Sequence, residues 1–196
     1  MTRLPVARVA VVNTGSSSLK LVVLDVDADG IREQQRIERD WSAADGIGTS
    51  VAAALAALER APDAFGHRVV HGGSTLVQPI RITASVLAAL ERTLPLAPLH
   101  NGPALEGIRA VERAYPAVPA VAVFDTAFHG DRPAESHMYA LPREIVESFG
   151  LRRYGFHGIA HAALAAEVAE HHGIAAADVA AVTVQLGAGC SACAVR

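Results

Sequence analysis

The chain has 196 residues, about half of them apolar, and a formal net charge of −3. That length holds one large domain, or one domain and the start of another, and the charge argues against a general nucleic-acid binder, which would carry a basic stripe. No apolar run nears the roughly 20 residues that span a bilayer. The amino terminus carries Arg3 and Arg8 but no sustained apolar segment or cleavage site, so a cytoplasmic enzyme is the default expectation.

Residues 6–12 are β-branched and apolar and predict a buried strand. They run into Asn13-Thr14-Gly15-Ser16-Ser17-Ser18, a turn-forming cluster, and a second strand over 19–26 closes a hairpin with a polar tip. Residues 31–39 fit a strand or a short helix; the turn at 27–30 favours the strand. A helix is predicted over 46–60, ended by Pro62. A short strand over 67–71 then delivers the Gly72-Gly73 turn. Helices over 84–92 and 104–114 flank a loop, Leu96-Ala97-Pro98-Leu99-His100-Asn101, and the most apolar strand, 118–124, ends at Asp125. Helices over 143–149 and 159–172 bracket the segment 152–158. Hairpin strands followed by alternating helix and strand make an α/β pattern, with chemistry expected at strand ends.

Residues 182–186 predict a new strand, followed by Gly187-Ala188-Gly189-Cys190-Ser191 and another strand over 192–195. This repeats the plan of residues 9–22: apolar strand, small-residue turn, apolar strand. The expected organisation is a first domain over 1–178 and, over 179–196, the opening hairpin of a duplicated second domain. Cys190 and Cys193 form a C-x-x-C, but in an extended segment positions three apart face opposite sides, so they read as ordinary small residues rather than a redox pair.

All but one of the 17 cationic side chains are arginine, the exception being Lys20. A lysine there is either a chance surface residue or a compact point charge beside the serine-rich turn. That turn is either a solvent-exposed hairpin tip or a phosphate cradle of backbone N–H groups and hydroxyls. It is not a P-loop, since it lacks the G-x-x-x-x-G-K-[ST] spacing and leads to a strand. Arg68 in a strand calls for an anionic partner and is expected to face a bound anion, so that its removal harms catalysis more than folding. Asp125 at a strand end and His157 beside the Arg152-Arg153 pair complete a set suited to phosphoryl transfer, whose catalysis is mainly positioning and charge stabilisation. His157 and His161 are spaced as in zinc proteases, but the glutamate of H-E-x-x-H is absent, which leaves a metallohydrolase as a distant rival.

Five motifs then stand in order: Val12-Asn13-Thr14-Gly15-Ser16-Ser17-Ser18-Leu19-Lys20, His67-Arg68-Val69-Val70-His71-Gly72-Gly73, Leu96-Ala97-Pro98-Leu99-His100-Asn101, Phe124-Asp125-Thr126-Ala127-Phe128-His129 and Tyr154-Gly155-Phe156-His157-Gly158. Together they resemble the acetate and propionate kinase family over essentially the whole chain. The resemblance implies a ribonuclease H-like (actin-like ATPase) α/β domain with a mixed sheet. It also implies reversible, direct in-line transfer of the γ-phosphoryl of ATP to acetate, giving acetyl phosphate and ADP with Mg²⁺, with propionate as a related substrate and a homodimer as the assembly. By the same resemblance Asn13 helps hold the metal, and Ser16, Ser18 and Lys20 contact phosphates at the first turn. Gln185, Gly187 and Gly189 form the second phosphate turn. Arg68 binds the carboxylate or the phosphoryl in flight, Asp125 is the essential carboxylate, and His157 stabilises charge on the phosphoryl. Val70, Leu99 and Phe156 line the space for the substrate methyl.

This chain departs from the family pattern where H-L-G-N-G is usual and Gln185-Leu186-Gly187-Ala188-Gly189 stands, and where Ile159-Ala160 replaces threonine and serine. The family's second arginine, its metal-associated glutamate and its adenosine pocket fall beyond Arg196, so the chain alone is expected to be inactive. The alternative is a catalytically incompetent fragment or pseudoenzyme that binds phosphate or a partner.

Overall fold

A computed structural model describes residues 6–42, 46–187 and 189–196. The expectations attached to Arg3 and Ala188 lie outside these residues. The first three strands, β1 (Ala7–Thr14), β2 (Ser18–Asp27) and β3 (Gly30–Asp40), form an antiparallel meander. The alternative of a helix over 31–39 is thereby excluded. Then come α1 (Ile47–Ala56), β4 (Ala64–Val69), the two-residue β5 (Ile80–Arg81), α2 (Ala84–Arg92), α3 (Pro98–Ala114) and β6 (Ala120–Phe124). The strands assemble in the order β3-β2-β1-β4-β6-β5, with β1, β4 and β6 parallel and the outer pairs antiparallel. The chain continues through α4 (Ala134–His137), α5 (Arg143–Phe149) and α6 (Gly158–His172) to β7 (Ala181–Gln185) and β8 (Ser191–Val195), a separate antiparallel pair.

The period-two alternation of the strands decides which face is core. Ala10 and Val12 of β1, Phe65 and Val69 of β4, and Ala122 and Phe124 of β6 are all buried on one side. There they pack against Ile47 and Val51 of α1 and against Leu105, Ile108 and Val111 of α3. The opposite face carries Val11, Asn13, Gly66, Arg68 and Val123, each only partly buried, and α6 lies across part of it.

One element differs from expectation in a way that matters for the site. The predicted loop over 96–101 is instead a 3₁₀ turn, Leu94–Leu96, running into the first turn of α3. Pro98 stands at the helix start, where its missing N–H would be unpaired in any case. Asn101 is 1% exposed; its amide accepts from the His71 N–H at 3.1 Å and donates to the His71 carbonyl at 2.8 Å and to Thr93 Oγ1 at 2.7 Å. Asn101 therefore ties the end of β4 to α3, a load that its place in a motif did not reveal.

Candidate active site

Three parallel neighbours deliver side chains to one edge. Val12 is level with His67 and Arg68 with Val123, so the residues on the non-core face at the carboxyl ends of β1 and β4, and just past β6, are Asn13, Arg68 and Asp125. Asp125 is 3% exposed. Arg68 donates to its Oδ2 from Nε at 3.1 Å and from Nη2 at 2.5 Å, and from Nη1 to Asn13 Oδ1 at 3.2 Å. The anionic partner that a strand arginine requires is thus a resident carboxylate. These three residues, with His157, Gln185, Gly187 and Gly189, line one cleft of about 710 Å³, whose other walls include Ile159 and Ala160 of α6.

His157 precedes α6 in the left-handed region, with φ 56° and ψ 24°. It is the only residue other than glycine with positive φ among the described residues, a conformation that costs on the order of 1 kcal/mol for such a side chain. What holds it there is the next residue. The Gly158 N–H donates to the Asp125 carbonyl at 2.8 Å, and a Cβ at Gly158 would overlap that carbonyl and approach Phe128 Cβ to 2.8 Å. The start of α6 is therefore pressed against the end of β6, which brings His157 to the cleft.

The ring of His157 then meets β8: its Nδ1 lies 2.8 Å from Ser191 Oγ. The same hydroxyl is 2.9 Å from His161 Nε2, and His161 Nδ1 is 2.8 Å from Thr183 Oγ1. His161 is fully buried, and burial, followed by the nearby His157 charge, lowers its pKa below the ordinary histidine value. The two histidines share a serine rather than presenting one helix face to a metal, and among the described residues no group of three or more His, Cys, Asp or Glu side chains is placed to hold one. Ser191 and Thr183 were not singled out in the sequence, because a hydroxyl in a small-residue turn or a short apolar strand carries no signal until the partner histidines are placed.

The remaining expected site residues divide. The tip of the first hairpin is fixed by Gly15 N–H to the Ser18 carbonyl at 2.7 Å and by Trp41 Nε1 to the Gly15 carbonyl at 3.2 Å. Ser16 is exposed at that tip, and Lys20 stands directly opposite Asn13 in the ladder, hence on the cleft face one strand further out. Ser16, Ser18 and Lys20 are not among the cleft walls. Neither are Val70, Leu99 and Phe156. Val70 is buried, Leu99 is 75% exposed on the first turn of α3 because that segment is helix rather than loop, and Phe156 packs its ring edge-on against His71 at 5.8 Å. Phe156 lines a second cavity of about 620 Å³ with His71, Tyr154 and Arg152.

The oxygen donors of the cleft, the Asn13 amide and the Asp125 carboxylate, match the preference of Mg²⁺ for a few hard protein oxygens supplemented by water and phosphate. No helix among the described residues is long and apolar enough to cross a membrane.

Comparison with known proteins agrees with the motifs. The family model of the Acetokinase family matches residues 45–196. The chain is 41% identical over 207 residues to an acetate kinase of Micrococcus luteus, covering 96% of this chain and 52% of the relative. Among solved structures it resembles the acetate kinase of Porphyromonas gingivalis, with TM-score 0.79 and 30% identity, and a propionate kinase of Francisella tularensis, with TM-score 0.77 and 29% identity; each match covers 97% of this chain and 55% of the other. The chain thus spans about half the length of the relatives it matches, and its mixed sheet flanked by helices is the actin-like ATPase domain expected of their amino-terminal half. With most of its length inside the family model and its motifs gathered at one sheet edge, the chain belongs to the acetokinase family.

Proposed function

We propose that this chain supplies the carboxylate-side half of an acetate kinase, which transfers the γ-phosphoryl of ATP to acetate and gives acetyl phosphate and ADP. The observation that supports this best is the convergence of Arg68, Asp125, Asn13 and His157 with Gln185, Gly187 and Gly189 on a single cleft. An acetate oxygen attacks phosphorus as the bond to the ADP oxygen breaks, and no proton needs to move because the nucleophile is already an anion. Such a reaction asks the protein for alignment and for positive charge around three equatorial oxygens.

Arg68 provides that charge at the cleft floor, and Asp125 holds its fork in one orientation. His157 faces the phosphoryl from the side of α6. The backbone N–H groups of Gly187 and Gly189 and the turn carrying Ser16 and Ser18, with Lys20 beside it, would contact the nucleotide phosphates. Asn13 would hold Mg²⁺ with water and phosphate oxygens, and the ion supplies neutralisation of phosphate charge when bound. Residues 179–196, forming β7 and β8 apart from the main sheet, would be the opening hairpin of a second, nucleotide-binding lobe. A soluble cytoplasmic homodimer acting on acetate, with propionate as a second substrate, is the reading that goes with it.

A second reading has its own support. Val182, Val184 and Leu186 are exposed on and after β7, and the methyl-pocket residues stand apart from the cleft, as in a fragment that binds phosphate without turnover. Titration of the ¹⁵N-labelled chain with acetyl phosphate tests the cleft. Shifts confined to Asn13, Arg68, Asp125 and His157 are expected; shifts elsewhere, with these residues unmoved, would contradict the assignment.

A further inference from the structure

We infer that Ser191 is a positioning residue that fixes the tautomer of His157, placing the proton on Nδ1 and leaving Nε2 as the nitrogen offered to the cleft. This deepens the phosphotransfer reading, on which its consequence for catalysis rests; the tautomer itself does not depend on that reading.

Four contacts form a chain: His157 Nδ1 to Ser191 Oγ at 2.8 Å, Ser191 Oγ to His161 Nε2 at 2.9 Å, His161 Nδ1 to Thr183 Oγ1 at 2.8 Å, and Thr183 Oγ1 donating to the Cys193 carbonyl at 3.4 Å. A carbonyl only accepts, so it sets the direction of the whole chain. The Thr183 proton goes to Cys193, so His161 Nδ1 must carry the proton that Thr183 accepts. His161 is fully buried, which disfavours its charged form and lowers its pKa, so its Nε2 is bare and accepts the one proton of Ser191. Ser191 Oγ can then only accept from His157, whose Nδ1 is therefore the N–H. No other proton arrangement with a neutral His161 makes hydrogen bonds of all four contacts.

The free edge of the His157 ring looks onto the second turn: a Cβ at Gly189 would lie 3.7 Å from Cε1 and 3.9 Å from Nε2. Arg68 and Asp125 line the same cleft, and His129 of the turn Ala127–His129 packs edge-on against His161 at 5.9 Å. With Nδ1 spent on Ser191, a neutral His157 shows a phosphoryl oxygen a lone pair, which repels it. Only the imidazolium, with a second proton taken from solvent onto Nε2, donates a hydrogen bond there. This division of labour, one nitrogen held and the other working, is the usual way a protein selects a histidine tautomer.

The test is the imidazole ¹⁵N spectrum of the uncomplexed chain, labelled at histidine and recorded at pH 8 with assignment by His157→Gln. The wild type is expected to show His157 with a pyrrole-type Nδ1 and a pyridine-type Nε2. Ser191→Ala should move the proton to Nε2, Ser191→Thr should restore the wild-type pattern, and the isosteric Thr183→Val should give a mixture by freeing the direction of the chain. A wild-type His157 protonated at Nε2, or the same Nδ1–H tautomer in wild type, Ser191→Ala and Thr183→Val, would overturn the inference. Because no turnover is read, failure of the kinase reading leaves this result standing, and the reverse also holds.

Discussion

Both hydrogen bonds from Arg68 to Asp125 end on one oxygen, Oδ2, while the remaining guanidinium nitrogen donates to Asn13. The arginine expected from the sequence to wait for a substrate anion already has one. The fork gives a carboxylate buried to 3% exposure its hydrogen-bond partner, so Arg68 serves folding as well as any ligand. Arg68→Ala should cost about 2–3 kcal/mol in urea unfolding, less than the 3–5 kcal/mol of a fully buried pair because the guanidinium is 29% exposed. Arg68→Ala combined with Asp125→Asn should recover part of that loss, since no unpaired charge remains. Equal additive losses in the double variant would show that the pair is not coupled.

His67 lies on the core face of β4, one residue from Arg68 but pointing the other way. Its Nε2 has no hydrogen-bond partner, and burial pushes its pKa down from 6.5 to about 4. The unfolded chain therefore takes a proton at a pH where the folded chain refuses it. Stability from this group is complete above pH 6.5 and is lost as pH falls from 6.5 to about 4, by on the order of 3 kcal/mol. Unfolding midpoints measured across that window should fall steeply in the wild type and more shallowly in His67→Leu. Parallel curves would place the acid sensitivity elsewhere.

Two glycines of helical segments separate close approach from mere flexibility. Gly158→Ala drives a methyl group into the Asp125 carbonyl and breaks the contact that sets His157, so it should destabilise the chain by several kcal/mol. Gly102 of α3 has nothing within 4 Å of an added Cβ, and Gly102→Ala should stabilise by about 0.5–1 kcal/mol. Thermal melts of the two variants should move in opposite directions.

How much of this was legible depended on whether a residue's job lay within its own element. The runs 6–12, 19–26 and 118–124 announced β1, β2 and β6, because β-branched apolar runs have few other uses, and the glycine-serine turn marked the hairpin between the first two. Asp125 was readable as a strand-end residue. The partner of Arg68 was not, since it depends on β4 and β6 lying side by side in one register. Leu99 was placed in a loop because a proline in a loop and a proline opening a helix look alike until the helix is seen. Ser191 and Thr183 acquired meaning only when β7 and β8 met α6.

The exposed row Val182, Val184 and Leu186 should make the chain associate with itself. Sedimentation velocity across a hundredfold range of concentration is expected to show growing oligomers, reduced by Val182→Lys and Val184→Glu on the outward face of β7. A concentration-independent monomer in the wild type would mean that this face is not adhesive.

Arg68, Asp125 and His157 are proposed to form the acyl side of a phosphotransfer site that a second lobe completes. This is tested most directly by trapping acetyl phosphate as the hydroxamate from ATP, Mg²⁺ and acetate. One reaction holds this chain alone, and another holds it co-expressed with the carboxyl-terminal half of the Micrococcus luteus acetate kinase. No turnover is expected from the chain alone, acetate-dependent turnover from the pair, and a loss of about a hundredfold or more in the pair on Arg68→Ala or His157→Ala. Robust turnover by the chain alone, or undiminished rates in the two variants, would contradict the proposal.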